Sequence, residues 1–209
     1  MIYKFKINDS VFNKLKTWCK DKSVKHSKNL AGNIENEFHL IKYKKEFEPF
    51  MLETINNSES LKNYLSNELY ILHPNGLPLT LQDLWVNYQK KYEFNPVHNH
   101  CGVFSFIVFI QIPYTTKEQA SVSPGKNSNY DCAGKLSFIY LDSNSDGGIN
   151  TKEFDVDKTW EGTGLIFKSS LSHCVYPFYT EGERITISGN LHFNTEFKKA
   201  SEEKNDTPT

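Results

Sequence analysis

The run Val103-Phe-Ser-Phe-Ile-Val-Phe-Ile-Gln-Ile112 constrains the fold more than any other stretch of the chain. β-Branched and aromatic residues fill almost every place, which suits a pleated strand better than a helix, and Pro113 ends the run because it has no ladder donor. The same texture returns at short intervals. Residues 81–89 alternate in part, and further strands are expected over 135–141, 149–156, 164–167, 173–176 and 184–193. About eight short strands separated by turn signals fit an all-β sandwich or barrel. Residues 115–134, rich in Ser, Gly and Asn, read as a mobile loop.

The N-terminal part has a different pattern. Asn8-Asp9-Ser10 offers helix caps to a segment carrying Phe12, Leu15, Trp18 and Cys19 at helical spacing. A second helix is expected over 58–70, with Leu61, Tyr64, Leu65 and Leu69 on its apolar side, while 31–56 shows no clear period. Residues 1–73 therefore form a helical preface, 74–197 a β core and 198–209 a flexible tail. At 209 residues this is most economically one domain, 1–209, with room for a sizeable core.

Composition narrows the class. No run of about 18 apolar residues is present, so no membrane span is expected. The start lacks the apolar stretch of a secretory signal. A net charge of -1 with dispersed lysines makes no electrostatic case for nucleic acid. Cys19, Cys101, Cys132 and Cys174 are too scattered for a disulfide scaffold, and a cytoplasmic setting with reduced thiols is the expectation.

Of the 24 basic residues only Arg184 is arginine. Lysine serves everywhere else, so this position calls for the planar guanidinium fork, which grips a carboxylate or phosphate in two places. Upstream, His98-Asn-His100 places two imidazoles two residues apart, on one face if the segment is a strand. His173 would join them from a partner strand. Neutral imidazoles suit Fe(II), Zn, Cu and Ni, so ligand type leaves the metal open. Cys101 and Cys174 each follow a candidate ligand and would face away from the metal. His26, His39 and His73 read as surface or packing residues, and His192 as a neighbour of the site. Together the histidines and the arginine point to a metal enzyme with an acidic co-substrate.

Four fragments carry a family resemblance: Trp85-Val-Asn-Tyr-Gln, Phe94-Asn-Pro-Val-His98-Asn-His100, Val175-Tyr-Pro-Phe-Tyr179 and Glu183-Arg184-Ile-Thr-Ile-Ser-Gly-Asn190. In order and spacing they resemble the 2-oxoglutarate/Fe(II)-dependent oxygenases, nearest to hydroxylase-like members carried by tailed phages of marine bacteria. The likeness covers about residues 81–193. It implies a double-stranded β-helix (a jelly roll of cupin type), a core preceded here by N-terminal helices. It also implies Fe(II) as metal, 2-oxoglutarate and O2 as co-substrates, release of succinate and CO2, and hydroxylation of an unidentified primary substrate. The site would be cytoplasmic, in the host cytoplasm if the chain is phage-encoded. The family pattern His-x-Asp/Glu, distal His, Arg-x-Ser maps onto His98, His173 and Arg184, with Thr186 at the serine place. His100 stands where the carboxylate ligand would be. Either His100 is the third ligand, or an acid such as Glu93 or Asp83 completes the site. Trp85, Tyr88 and Tyr140 are candidates to wall the pocket.

Two other functions fit some of these residues. A three-histidine cupin-type dioxygenase of the thiol-dioxygenase kind also uses His-x-His, a later His and an arginine; a non-catalytic metal- or ligand-binding barrel needs only the ligands. Separately, Asp142-Ser-Asn144-Ser-Asp146-Gly147-Gly-Ile149-Asn150-Thr-Lys-Glu153 matches the calcium loop of an EF-hand. Its flanks read as strands, so a hairpin turn is expected there.

Overall fold

The computed structural model describes residues 1–69, 77–141 and 147–194. His73, part of the calcium-like loop and the tail lie outside the described residues. Ten strands and four α-helices follow in chain order. They are β1 (Ile2–Lys6), α1 (Asp9–Trp18), β2 (Asn36–His39), α2 (Lys44–Asn56), α3 (Glu59–Asn63), β3 (Leu79–Lys90), β4 (Asn95–His98), β5 (Phe104–Gln111), α4 (Thr116–Val122), β6 (Leu136–Leu141), β7 (Ile149–Phe154), β8 (Thr163–Lys168), β9 (Ser172–Val175) and β10 (Glu183–Phe193).

Two antiparallel sheets make the jelly roll. The larger runs β1-β8-β5-β10-β3-β2 and the smaller β4-β9-β6-β7. Between them Phe109, Leu165 and Phe167 of the large sheet pack with Leu136, Phe138 and Val175 of the small one. The large sheet's other face is covered by helices: Leu15, Trp18, Phe47, Met51 and Ile55 share one apolar cluster with Val86, Phe104, Phe106, Val108 and Ile187. Strand β5 is thus covered on both sides. That explains why its sequence is a continuous apolar run instead of an alternation. Each phenylalanine so buried contributes roughly 1.5–3 kcal/mol.

The helices form where local chemistry asks for them. Asn8 caps α1 by accepting from the Val11 amide at 2.9 Å. Helix α2 buries Phe47, Met51 and Ile55, one per turn, against the sheet. Among the described residues no helix is long and apolar enough to cross a membrane.

Four expectations need correction. The preface is not helical throughout, because β1 pairs with β8 and β2 with β3, so it supplies both edges of the large sheet. The helix expected over 58–70 ends at Asn63 and widens into a π-turn, Tyr64–Glu68, closed by Leu69 N–H on Tyr64 O; Tyr70 lies outside the described residues. Residues 31–56, which show no clear period in sequence, hold β2 and α2. The segment 115–134 contains α4, whose Thr115 and Glu118 form a capping box.

The calcium-like segment is flanked by strands, with β6 and β7 paired from Leu136↔Phe154 to Leu141↔Ile149. Residues 142–146 of the loop lie outside the described residues. Glu153, the last calcium-loop ligand by position, instead accepts from Lys135 Nζ at 3.0 Å. Calorimetry is therefore expected to show no micromolar calcium site. A calcium heat abolished by Glu153→Gln would contradict this.

Candidate metal centre and co-substrate pocket

One pocket between the sheets collects all five residues singled out from the sequence: His98, His100, His173, Arg184 and Thr186. Strands β4 and β9 place two of them, because His98 and His173 are direct register partners. Their rings stand 4.3 Å apart, and those of His98 and His100 4.9 Å. The three imidazoles offer ligand atoms that all lie within 4.8 Å of one another. His100 arrives differently from expectation. Strand β4 ends at His98, and His100 follows in the turn, held by its amide on Ser169 O at 2.8 Å.

The donor set suits a divalent transition metal. His98 Nδ1 is 2.7 Å from Pro96 O and His173 Nδ1 is 3.0 Å from Leu171 O. A carbonyl can only accept, so each Nδ1 carries the proton and each Nε2 keeps its lone pair for a metal. Burial, with His98 beside it, pulls His100 down to about 4. The same two causes pull His173 to about 3. Both are neutral imidazoles at ordinary pH, as ligation requires. Phe138 and Phe167 flank His173 at 5.7 and 4.9 Å between rings and keep that side apolar.

Neither acid considered as a ligand joins the histidines. Glu93 accepts from the Glu35 and Lys90 amides at the β3–β4 turn. Asp83 accepts from Asn190 Nδ2 at 3.2 Å and stands 3.9 Å from His192 Nε2. His192 Nε2 makes no hydrogen bond among the described residues, and His192 is not among the residues lining the pocket. His26 and His39 stack on each other at 4.5 Å, a packing role as expected. Cys101 is exposed and Cys174 is buried; both are free thiols outside the histidine group.

The fork of Arg184 is fully engaged. Nε and Nη2 donate to Gln89 Oε1 at 3.0 and 2.5 Å, and Nη2 also to Tyr176 O at 3.2 Å. Nη1 donates to Tyr114 Oη at 2.7 Å and Gly134 O at 2.8 Å. Gly134 takes φ +72°, and a Cβ there would meet the Tyr114 hydroxyl at 2.9 Å, so glycine lets that carbonyl reach the arginine. Every acceptor is neutral, Arg184 is only 2% exposed, and it enters none of the ion pairs among the described residues. Its hydrogen bonds are satisfied while its charge lacks a countercharge, a state that favours an anion in the pocket.

Sequence reading missed the residues that hold these two groups in place. Strand parity sends Trp85, Asn87 and Gln89 into the pocket and Tyr88 to the opposite face, where its hydroxyl donates to Cys19 O. Trp85 and Tyr88, three apart on one strand, could not both have been pocket walls. Tyr140 is 47% exposed and is not among the residues lining the pocket. Trp85 Nε1 donates to Asn87 Oδ1, which aims Asn87 Nδ2 at Thr186 Oγ1, 3.1 Å away. Gln89→Leu should leave two guanidinium donors unmet and cost about 2–3 kcal/mol. Urea unfolding within 0.5 kcal/mol of the parent, on the same scale, would show that Gln89 does not support the arginine.

Comparison with known proteins agrees with this geometry. Residues 83–190 match the family described as "Putative 2OG-Fe(II) oxygenase". A search of curated proteins gave no match. Among solved structures, HygX from Streptomyces hygroscopicus with nickel, 2-oxoglutarate and hygromycin B bound is similar at TM-score 0.55 and 8% identity, covering 93% of this chain and 83% of that one. A 2OG-Fe(II) oxygenase family oxidoreductase from Burkholderia pseudomallei gives 0.53 at 7% identity, covering 91% and 84%. A prolyl hydroxylase from Trichoplax adhaerens, in complex with a hypoxia inducible factor peptide, gives 0.50 at 12% identity, covering 96% and 86%. At such identities the structures speak for the jelly-roll fold alone, and the family match speaks for the chemistry. The chain belongs to the 2OG-Fe(II) oxygenase family.

Proposed function

We propose that His98, His100 and His173 hold the ferrous ion, and that Arg184 with Thr186 receives the far carboxylate of 2-oxoglutarate. The observation that carries this reading is one pocket containing three imidazoles whose ligand atoms lie within 4.8 Å of one another and a buried arginine without a countercharge. Iron with 2-oxoglutarate and O2 supplies the chemistry, coupling decarboxylation of the keto acid to oxidation of a C–H bond, with succinate and CO2 released. The primary substrate on this reading is hydroxylated.

The chain's own share is orientation and exclusion of water. Pro96 O and Leu171 O hold two ligand rings in the metal-binding tautomer. The Trp85–Asn87–Thr186 relay leaves the threonine hydroxyl's own proton free to be donated to a carboxylate. An anion reaching Arg184 must take over donors now used by neutral oxygens. The Gly134 and Tyr176 carbonyls belong to the backbone, so the acceptors that can yield are the side chains of Gln89 and Tyr114. A three-histidine site leaves the ion its full double charge, which dianionic 2-oxoglutarate offsets. The histidine set also fits a three-histidine cupin-type dioxygenase, and dependence on 2-oxoglutarate separates the two.

The order of the four sequence fragments supports our placing the chain near the hydroxylase-like members of marine tailed phages. Its four free cysteines support a reducing cytoplasm, the host's in that case. Residues 1–209 read as one domain, because β1 and β2 of the preface complete the same sheet as β10.

Anaerobic ferrous-iron binding tests the ligand set. His100→Ala is expected to weaken iron binding by about tenfold or more, the scale for disturbing even an indirect partner of a metal. Unchanged binding would mean that an acid, and not His100, completes the site.

A further inference from the structure

The pocket holds a second buried charged residue that neither the metal nor the co-substrate uses. Glu37 on β2 is 1% exposed and lines the pocket, and its Oε2 meets no hydrogen-bond partner among the described residues. In register it faces Asn87, which in turn faces Thr186, so its carboxyl stands beyond the co-substrate row at the edge of the large sheet. Asn95, on β4 of the other sheet, also lines the pocket, and its Oδ1 is likewise buried and unmet. The two side chains converge on Gly32: a Cβ there would collide with Asn95 Oδ1 and stand 3.1 Å from the other oxygen of the carboxyl, Glu37 Oε1.

Among the described residues no cation pairs with this carboxyl group. Arg184 is committed to Gln89, Tyr114 and two carbonyls, and Glu37 enters none of the ion pairs among the described residues. Burial first, and then the Glu93 carboxylate, push Glu37 up to about 8. An unmet buried carboxyl costs free energy unless something supplies donors. Two neighbouring acceptor oxygens ask for a group with at least two N–H bonds. A positive charge on that group would let the carboxyl ionise inside the pocket. A hydroxyl, with one donor and no charge, meets neither demand.

We propose that Glu37 and Asn95 anchor a nitrogen cation of the primary substrate, a primary ammonium or guanidinium, and so determine specificity. The inference rests on the oxygenase reading of the same pocket. It also sorts the charges: Arg184 draws the anionic co-substrate, and an ionised Glu37 turns 2-oxoglutarate away from the substrate end.

The test uses nickel-loaded protein with 2-oxoglutarate, titrated by calorimetry with 1-pentylamine, 1,5-diaminopentane and neutral 1-pentanol. The amines should bind about tenfold or more tightly than the alcohol, the scale of one charge-assisted hydrogen bond. Glu37→Gln, which keeps the shape of the side chain, should remove that preference, and Asn95→Ala should reduce it. A cooperative unfolding transition confirms that each variant is folded. Amines that bind no better than the alcohol, that do not bind, or that bind Glu37→Gln as tightly as the parent, overturn the anchor. Titration of 2-oxoglutarate alone into nickel-loaded parent protein separates the two readings. If it does not bind, the co-substrate assignment fails while the amine preference still decides the role of Glu37.

Discussion

The register of β10 is the constraint on which the rest of this structure depends. Lying between β3 and β5, the strand sends Arg184, Thr186, Ser188 and Asn190 toward the interior between the sheets, and Ile187 toward the helices. A slip of one residue would drive a guanidinium into the cluster around Phe47 and Met51 and turn isoleucines into the pocket. The penalty for either is several kcal/mol, because a charge would be buried without donors or acceptors to meet it. The helices that cover the large sheet thus hold Arg184 and Thr186 in place without touching them. A bulge between Asn190 and Leu191 ends this strict alternation beyond the pocket.

The interior is stabilised for occupancy more than for stability. Arg184 and Glu37 are both almost fully buried and are not paired with each other. Direct pairing would have relieved two desolvation costs at once. Instead Gln89 and Asn87 stand between their strands, satisfying the arginine and the threonine with neutral amides. Three clustered imidazoles, two of them (His100 and His173) held neutral by burial, add a third unmet demand, for a cation with open coordination positions. On the proposed assignment each demand answers to one component of the family's reaction.

Much of this was legible in the sequence because the signals are local. A lone arginine among lysines, a His-x-His pair and a β-rich run mark themselves by residue type. The opposition of His98 and His173 followed from pairing two strands. What escaped reading depends on partners far along the chain. Ile2–Lys6 is too short to announce a strand and becomes one by pairing with β8. Glu37 sits in a polar stretch without period, and only the sheet buries it. Other misses were avoidable. Thr115-Thr-Lys-Glu118 is a capping box in plain sight, and strand parity alone separates Trp85 from Tyr88. His100 reached its place for a reason other than the one expected: a turn fixed on Ser169, where a continued strand had been assumed.

The central claim is that this pocket couples iron to a keto acid. The most direct measurement is the visible spectrum of the anaerobic ferrous protein titrated with 2-oxoglutarate, followed by admission of air and assay of succinate. A weak charge-transfer band that saturates with 2-oxoglutarate, then succinate formation even without a primary substrate, is the expected result. A slow rate is compatible with the extra positive charge of a three-histidine site. Iron-loaded protein with all three histidines intact that shows neither band nor succinate would contradict the account.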